Sequence, residues 1–505
     1  MQKIAAIDAG SNALRLVVGE LDDDWQVHPI QNIRIPVRLG EDAFTNNFFR
    51  EQTMQQAVDA FLQFRRIIDD FGVSKIRAVS TSAMRETINS DILVDRILRS
   101  SGIELEVISG EEEARLVYVA VADAVDISDK RAMLIDIGGG SVEVTITQEG
   151  SILSAKTHPL GTVRLLQRLR ENTVPSRPDS FGRLLREYTE AARRRIGQEV
   201  GSMAVDVCIG TGGNVEAIGE LRQKIFKRDS DRVVTAKELD ELVTLLEGMN
   251  VKERTRRFGL RPDRADVILP AAIVLKMITG IAGVDQVLIP NVGLKNGLLL
   301  DLSRSMAQAM VLPDRNQVYG SAVRIGQKYQ FNEEHAFYVA RLATSLFDQA
   351  AKLHQLNGEE RLVLEVGALL HDIGHFVNTV NHDQHGDYLL KANHIIGLSE
   401  RQQEMVACLV QFHRKGVPYR DIPITSTLTQ KDRLTVTKLC AFLRLADGLD
   451  GSHTQRVTEA VFTETRAGWL LRLKGNEDLT LERWSAVKRK ALFEEIFGVA
   501  LDVEE

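Results

Sequence analysis

A run of three glycines in this chain carries an acidic residue on each side. In the stretch LIDIGGGSVEV, the glycines 138–140 lie between Asp136 and Glu143, and the flanking apolar segments have the pattern of strands. Glycine loops of this kind usually bind phosphate, because their backbone N–H groups can approach an anion closely. The stretch therefore predicts an anion site, and its two carboxylates require a chemical explanation.

The same pattern occurs a second time near the start of the chain. AAIDAGSNALRLVVGE, residues 5–20, resembles MLIDIGGGSVEVTITQ, residues 133–148, and the alignment places Asp8 opposite Asp136. A single copy would be explained most simply as an ordinary hairpin with a glycine turn. Two copies at domain-sized spacing predict two similar α/β domains that face each other across a cleft, each contributing one glycine loop.

Two further segments contribute residues of a suitable type. In DVCIGTGGNVEAIGEL, a strand runs into the glycine loop 210–214 and then into a helix, where N–H donors stabilise an anion. In ISGEEEARLVY, Glu111, Glu112 and Glu113 begin a helix. Acids in a first helical turn often serve only to complement the helix dipole, so this cluster alone does not indicate catalysis.

Composition and charge narrow the class of protein. The chain has 505 residues, 44% of them hydrophobic and 26% charged, which predicts roughly three or four soluble domains. Its net charge of -7 argues against a nucleic-acid binder driven by overall charge. The cysteines form no CxxC pair, and no stretch holds about 18 uncharged apolar residues. We therefore expect a cytoplasmic protein that binds neither nucleic acid nor membrane.

Five motifs, taken in their order along the chain, resemble one known family. IDAGSN, TSAMRE, ISGEEEARLVY, IDIGGGSVEV and GTGGN are similar to the exopolyphosphatase / guanosine pentaphosphate phosphohydrolase (Ppx/GppA) family, a branch of the sugar kinase, Hsp70 and actin superfamily. The resemblance implies an α/β fold with two actin/Hsp70-like (RNase H-like) domains around a cleft, then an all-α HD-like domain and a small α/β tail. The expected domain bounds are 1–125, 126–310, 311–455 and 456–505.

The resemblance also implies a role for each motif residue. Glu113 would be the general base, and Arg85 would contact the terminal phosphate. Asp136 and Glu143, with Asp8, would hold a catalytic Mg²⁺ or Mn²⁺, which explains why carboxylates flank an anion loop. The residues expected to bind phosphate are Gly10, Ser11, Asn12, Gly138, Gly139, Gly140, Ser141, Gly210, Thr211, Gly212 and Gly213.

A basic segment follows the third glycine loop. VKERTRRFGLRPDR could line a path for a long anionic chain, and a solvated surface loop explains the same charges equally well. The next stretch, ADVILPAAIVLKMITGIAGV, predicts a buried helix. The basic residues concerned are Arg254, Arg256, Arg257, Arg261 and Arg264.

The C-terminal part changes character near residue 312 and is helical to about residue 455. Its adjacent histidine and aspartate, with one earlier histidine and one later aspartate, match the HD-domain pattern of metal-dependent phosphohydrolases. Imidazole and carboxylate together suit a transition metal better than Mg²⁺ alone. Two alternatives stay open: a second metal site, or buried side chains that satisfy one another in a helical core. The residues are His335, His371, Asp372, His385, His413 and Asp447.

The combined pattern favours an enzyme over a binding module. We expect a metal-dependent hydrolase that releases terminal orthophosphate from inorganic polyphosphate or guanosine pentaphosphate, and the motifs do not separate these substrates. The resemblance implies a homodimer. The alternatives are an ATP-dependent small-molecule kinase of the same superfamily, a non-catalytic sensor of phosphorylated nucleotides, and an enzyme that works through the HD-like domain.

Overall fold

A computed structural model describes residues 2–170, 179–201, 204–307, 315–422, 427–465, 468–475 and 477–505. The chain forms two compact units, Met1–Met310 and Val311–Glu505. The domain boundary expected at residue 310 falls within residues 308–314, which lie outside the described residues.

The first unit begins with a mixed sheet, which we call sheet 1. Its strands are β1 (Gln2–Ala9), β2 (Leu14–Leu21), β3 (Val27–Ile35), β4 (Lys75–Ser80) and β5 (Leu105–Val107). They lie in the order β3-β2-β1-β4-β5, with β1 antiparallel to β2 and parallel to β4. The helices are α1 (Leu39–Asn46), α2 (Glu51–Asp70), α3 (Ser82–Arg85), α4 (Ser90–Ser101) and α5 (Gly110–Ala124).

A second sheet, sheet 2, follows in the same unit. Its strands are β6 (Ala132–Ile137), β7 (Val142–Gln148), β8 (Ser151–His158), β9 (Val207–Thr211), β10 (Val233–Thr235) and β11 (Gln286–Leu288), in the order β10-β11-β9-β6-β7-β8. The helices are α6 (Thr162–Arg170), α7 (Asp179–Val200), α8 (Gly213–Phe226), α9 (Ala236–Glu247), α10 (Val251–Phe258), α11 (Pro262–Ala265), α12 (Ile268–Ala282) and α13 (Leu294–Ala307).

The two sheets share one topology. Read from the other edge, the order β8-β7-β6-β9-β11 in sheet 2 repeats β3-β2-β1-β4-β5 in sheet 1, and β10 adds an antiparallel edge strand. The hairpins β1–β2 and β6–β7 occupy equivalent places. The sequence repeat of residues 5–20 and 133–148 thus corresponds to a repeat of strand order in the two sheets.

Helix α13 follows sheet 2 in the chain but packs against sheet 1. Its side chains Leu298, Leu299 and Leu302 share a core with Ile4 and Ala6 of β1. The sequence expectation counted this segment with the second domain, 126–310. It packs against sheet 1 because its apolar stripe covers the face of that sheet next to α5.

One segment of the described chain is long and apolar enough to cross a membrane by length and composition alone. It is Pro262–Ala282, and 72% of its most apolar window is buried inside the fold. Ile268 and Ile278 share a core with Met133 and Ile135 of sheet 2. The buried helix expected here is confirmed as a core element.

The second unit is mainly helical and ends in a small sheet. Its helices are α14 (Arg315–Lys328), α15 (Glu333–Gln349), α16 (Ala351–His354), α17 (Gly358–Leu370), α18 (His382–Lys391), α19 (Glu400–Gln411), α20 (Pro418–Asp421), α21 (Gln430–Gly448), α22 (Thr480–Arg489) and α23 (Ala491–Phe497), with a 3-10 turn at Ile373–Phe376. The strands β12 (Val457–Thr465), β13 (Gly468–Gly475) and β14 (Leu501–Glu504) form the sheet.

The small sheet has no core of its own. Phe462 of β12 stacks on Phe493 of α23, with ring centroids 5.4 Å apart, and Phe493 meets Phe442 of α21 at 5.8 Å. These rings belong to one apolar cluster that extends through the helices. The segments 311–455 and 456–505, expected as two separate domains, therefore share one hydrophobic core.

Candidate active site

The loops expected to bind phosphate meet at one cavity of the first unit. Strands β1 and β6 each end in a glycine turn, and β9 ends in the loop that starts α8. The cavity has a volume of about 90 Å³ and is lined from both sheets. The expected site residues in its lining are Asp8, Gly10, Ser11, Asn12, Glu113, Asp136, Gly138, Gly139, Ser141, Gly212 and Gly213.

The two hairpin turns approach each other closely enough to require glycine. A Cβ added at Gly139 would lie 3.0 Å from the Cβ of Ser11. Gly140 packs against Phe44 and Ser82, so a side chain there would collide with both. Neither Gly140 nor Gly210 lines the cavity, and both glycines, expected to bind phosphate, instead allow close packing.

Three buried carboxylates form the centre of the site. One ligand oxygen from each of Glu113, Asp136 and Glu143 lies within 4.8 Å of the others. Asp136 and Glu143 are directly paired across the antiparallel β6–β7 hairpin. Directly opposite residues in such a hairpin place their side chains on one face, so the acids flanking the glycines converge.

Burial changes the protonation of these acids. Burial and the charge of Asp8 together raise the pKa of Asp136 to about 6, against the opposing effect of the hydrogen bond from Thr211. Burial raises the pKa of Glu113 to about 7, against the opposing effect of Arg85. Burial and the neighbouring carboxylates raise the pKa of Glu143 well above its ordinary value. The cluster therefore lacks the positive charge that would keep all three carboxylates ionised at neutral pH.

A hard divalent cation fits this donor set. Both carboxylate oxygens of Glu143 are buried and have no hydrogen-bond partner among the described residues. Buried ionised oxygens without partners are strongly unfavourable, and oxygen-only donor sets suit Mg²⁺ or Mn²⁺. Glu113, Asp136 and Glu143 are therefore the residues that could hold the cation.

Glu113 is separated from its two neighbouring glutamates by helix geometry. Ser109 caps α5 by accepting a hydrogen bond from the Glu112 N–H, which fixes where the first turn begins. Glu112 forms an ion pair with Arg115 of the same helix. Glu113 faces inward and accepts a hydrogen bond of 3.1 Å from Nη1 of Arg85. Only the third acid of EEEAR therefore joins the carboxylate cluster.

Arg85 contacts the base rather than the cavity. Its Nη1 also donates to the Ile108 carbonyl at 2.7 Å, and it is absent from the cavity lining. Arg85, which was expected to contact the terminal phosphate, therefore lies outside the cavity lining and next to Glu113. Its guanidinium is held beside Glu113, where it can orient that carboxylate.

Asp8 and Thr211 contribute in different ways. Asp8 lines the cavity but lies outside the group of three carboxylates, and its nearest charge is Nη1 of Arg15, 3.7 Å away. Thr211 donates a hydrogen bond of 2.9 Å from Oγ1 to Oδ1 of Asp136. Asp8 is therefore balanced by a cation, and Thr211 orients a carboxylate rather than facing an anion.

A larger basic cavity adjoins the first. Its volume is about 510 Å³, and it shares Arg15, Arg34, Arg264 and Lys295 with the smaller cavity. Burial, together with the nearby charges of Arg15 and Arg34, lowers the pKa of Arg264 to about 10. Cations crowded in this way are stabilised by an incoming polyanion.

The five arginines of the basic segment have different environments. Arg261 and Arg264 line the larger cavity. Arg254 is buried and donates to the carbonyls of Leu246 and Ala265, so it is a structural residue and the expected role in an anion path is wrong for it. Two others, Arg256 and Arg257, are exposed on α10 and outside the lining.

The second unit contains a buried cluster of histidines and aspartates. Nε2 of His335 and Nε2 of His371 lie 3.3 Å apart, and the same atoms of His382 and His413 lie 3.3 Å apart. Asp372 lies between the two pairs. Its Oδ2 is 3.5 Å from His371 Nε2, and its Oδ1 is 3.5 Å from His382 Nε2.

The other ring nitrogens hold these imidazoles in place. Nδ1 of His371 is 2.8 Å from the Ala368 carbonyl, and Nδ1 of His335 is 2.7 Å from Asp450 Oδ2. Such contacts leave Nε2 as the donor atom that faces the cluster. Oδ1 of Asp447 lies 3.8 Å from Nε2 of both His335 and His371.

One expected ligand of this cluster is wrong. Among the described residues, the third and fourth imidazoles are His382 and His413, and His385 belongs to neither ligand group. His382 and His385 both lie in α18 and nearly share a face of the helix, but His382 is buried and His385 is only partly buried. His382 and Asp450 were missed, because spacing alone does not show which histidine of NHDQH faces inward.

Two protein-family models match the chain. Residues 17–306 match the model of the Ppx/GppA phosphatase family, and residues 319–488 match the model of Ppx/GppA phosphatase, domain III. Together these matches cover parts of both compact units.

Curated relatives are similar over most of their length. A guanosine-5'-triphosphate,3'-diphosphate pyrophosphatase of Photobacterium profundum is 25% identical over 453 residues, which cover 88% of this chain and 85% of the relative. A protein of the same description from Vibrio vulnificus is 28% identical over 417 residues, covering 82% and 81% respectively.

Solved structures resemble about three fifths of the chain. An exopolyphosphatase of Cytophaga hutchinsonii is 26% identical with a TM-score of 0.56, and the match covers 60% of this chain and 98% of that one. A Ppx/GppA family member of Aquifex aeolicus, 23% identical with a TM-score of 0.52 over the same shares, has the same fold.

Proposed function

This chain belongs to the Ppx/GppA phosphatase family, whose members hydrolyse phosphoanhydrides, and we propose that it releases terminal orthophosphate from inorganic polyphosphate or guanosine pentaphosphate. The observation that carries the proposal is the group of three buried carboxylates beside facing glycine loops. A non-catalytic sensor would not need Glu113 as a base next to the two acids of the β6–β7 hairpin. The motifs EEEAR and SAMRE, which hold Glu113 and Arg85, resemble the phosphatase branch of the superfamily rather than its small-molecule kinases.

The residues of the site divide the work of hydrolysis. Asp136 and Glu143 would hold a Mg²⁺ or Mn²⁺ ion, which when bound would neutralise charge on the phosphate oxygens. The N–H groups of the glycine turns and of the α8 N-terminus bind the terminal phosphate. Glu113 accepts the proton of the attacking water at its carboxylate, and Arg85 orients Glu113 through the hydrogen bond at Oε2.

The basic cavity supports a long or multiply phosphorylated substrate. Arg15, Arg34, Arg264 and Lys295 lie where the remaining phosphates would extend beyond the small cavity. Their positive charge lowers the free energy of a polyanion whether its remaining phosphates belong to a linear chain or to a nucleotide. The cations therefore explain affinity for both substrates and do not separate them.

Substrate choice is tested with purified full-length protein. Phosphate release is measured in parallel from long polyphosphate, guanosine pentaphosphate and ATP, with Mg²⁺, with Mn²⁺ and with EDTA. We expect metal-dependent release from one or both of the first two substrates and little from ATP. Release that is undiminished in EDTA, or transfer of phosphate from ATP to a small acceptor, would contradict the proposal.

A second candidate function belongs to the second unit. We propose that it is an HD-like domain whose histidine–aspartate cluster holds transition-metal ions and hydrolyses a phosphate ester. The observation that favours it is Asp372, whose two oxygens each face one pair of imidazoles. Burial lowers the pKa of His413 to about 4, so this imidazole is neutral and available as a ligand at neutral pH.

Metal analysis of the full-length protein tests this second candidate. After loading with Mn²⁺ or Fe²⁺ and desalting, we expect Asp372→Asn to lose bound transition metal. The control His385→Ala, at a histidine of the same domain that is outside both ligand groups, should keep the metal. Hydrolysis of bis-p-nitrophenyl phosphate is measured alongside. Equal metal content in the wild type and in Asp372→Asn would overturn the metal site.

We further propose a cytoplasmic homodimer that binds neither nucleic acid nor membrane. The net charge of -7 supports the absence of nucleic-acid binding. Light scattering coupled to size exclusion tests the dimer, and a mass equal to one chain at micromolar concentration would contradict it.

A further inference from the structure

The carbonyl groups of the triple-glycine loop are all bound from one side. Helix α6 begins next to the loop, and its first three residues each donate a hydrogen bond to the carbonyl of one glycine. The Thr162 N–H donates to the Gly138 carbonyl at 3.1 Å, the Val163 N–H to the Gly139 carbonyl at 2.8 Å, and Nε of Arg164 to the Gly140 carbonyl at 2.6 Å.

These bonds determine where the loop amides point. In a trans peptide unit the C=O and the following N–H point in opposite directions. Carbonyls that face α6 therefore send the N–H groups of the same peptide units away from α6. Two of the three carbonyls are held by backbone, and the Gly140 carbonyl is held by the side chain of Arg164.

Arg164 also reaches across to the domain of sheet 1. Its side chain is only 3% exposed. It forms a bidentate ion pair with Glu86, in which Nη1 donates to Oε2 at 2.7 Å and Nη2 donates to Oε1. The guanidinium lies 4.1 Å from the ring centroid of Phe44. Both partners belong to the first domain, so one arginine connects the glycine loop of sheet 2 to the opposite wall of the site.

Glu86 is adjacent to a residue of the reaction. Arg85 donates to Glu113, and Glu86 binds Arg164. A single dipeptide therefore links the proposed general base to the loop that holds the phosphate. Arg164 is absent from the lining of both cavities, so it acts through other residues rather than on substrate.

We propose that Arg164 is a positioning residue that fixes the distance between the triple-glycine loop and the Arg85–Glu113 pair. This inference rests on the proposed phosphohydrolase function of the first unit. A planar guanidinium is required because it must donate to the Gly140 carbonyl and to both oxygens of Glu86 at once, which an ammonium group cannot do. A loop displaced by about 1 Å is expected to slow the reaction about 100-fold.

The test compares steady-state kinetics of phosphate release in the full-length chain. Arg164→Lys keeps the charge and loses the fork, and Glu86→Gln, at a residue whose side chain is 46% exposed, removes the ion pair with little risk to folding. We expect each to lower kcat about 10- to 100-fold with a smaller change in KM. The matched control is Arg168→Lys on the same helix, which is expected to retain wild-type kcat.

A double-mutant cycle separates positioning from general destabilisation. If Arg164 acts through Glu86, the double variant is no slower than the slower single variant, and the melting temperatures do not follow kcat. If the wild type is active and both single variants have a kcat within twofold of the wild-type value, the positioning role is overturned and the proposed function is not affected. A wild type that releases no phosphate from any substrate would overturn the proposed function, and the positioning role with it.

Discussion

Arg15 and Glu143 occupy equivalent positions of the two hairpins. In the first hairpin Arg15 is paired across the strands with Asp8, and in the second Glu143 is paired with Asp136. The same backbone thus presents an acid with a cation on one side of the site and two acids on the other. The acid–cation pair of the first hairpin therefore suits the approach of a phosphate group, and the two acids of the second hairpin suit a divalent cation beside it.

Replacing Glu113 by Gln should remove most of the phosphate release. The amide keeps the shape and the contact with Arg85 but cannot accept a proton from water, so we expect kcat to fall on the order of 10²- to 10⁴-fold. The control is Glu111→Gln, two residues earlier in the same helix turn, which should stay near wild type. Phosphate release by Glu113→Gln at the wild-type rate would remove the role assigned to this residue.

The sequence predicted the paired acids well, because a hairpin register follows from a short turn. Asp136 and Glu143 are close in sequence, and the repeat with residues 5–20 identified their setting. Glu113 was separable from its neighbours only through the family resemblance, since all three glutamates suit a first helical turn equally. Its selection depends on Ser109, which fixes the start of α5.

Contacts between distant segments were not predictable from patterns. Arg34 pairs with Asp263, 229 residues away in the chain, and Lys295 enters the cavity from the start of α13. The packing of α13 onto sheet 1 brings Lys295 there, and the sequence had assigned that segment to the other domain. The place of Arg15 in the site could have been inferred from the sequence, because the repeat aligns this residue with Glu143.

Acidic pH should stabilise the metal-free protein relative to neutral pH through the carboxylate cluster. In the unfolded chain the pKa values are near 3.8 for Asp136 and 4.5 for Glu113, and in the folded chain they rise to about 6 and about 7. The folded state therefore holds more protons, and its stability falls as pH rises through this interval. Above about pH 7 the contribution of Asp136 and Glu113 levels off.

Unfolding in guanidinium chloride with EDTA, measured from pH 5 to pH 8, checks this dependence. Glu143→Gln removes one charge from the cluster and should flatten the decline relative to wild type. Adding Mg²⁺ at pH 8 should restore stability in the wild type more than at pH 5, because the cation binds the ionised carboxylates. Identical pH profiles for the wild type and Glu143→Gln would show that the cluster does not titrate in this way.

Removing a cation from the larger cavity should weaken substrate binding without slowing the chemical step. Arg261 lines that cavity and is more than half exposed, so Arg261→Ser should raise KM about fivefold, equivalent to about 1 kcal/mol, with kcat unchanged. The effect should shrink at high salt, because exposed charges are screened. Arg256→Ser, exposed on α10 outside the cavity, is the matched control, and an equal rise in KM for both would indicate only a loss of overall charge.

Replacing Gly212 by Ala should damage the site as well as the backbone. Gly212 precedes α8 with φ of 89°, and an added Cβ would lie 2.7 Å from Oδ1 of Asp136. With ψ of 146°, this backbone conformation is one that only glycine adopts readily, so alanine costs about 1–3 kcal/mol there. Displacement of Asp136 should lower kcat at least about tenfold. Gly283→Ala is the control, since its φ of 67° also favours glycine, nothing lies within 4 Å of the added Cβ, and the residue is outside the lining of both cavities. We expect a loss of unfolding free energy in both variants, larger in Gly212→Ala, and a loss of phosphate release only in Gly212→Ala; equal activity in the two would show that Asp136 tolerates the displacement.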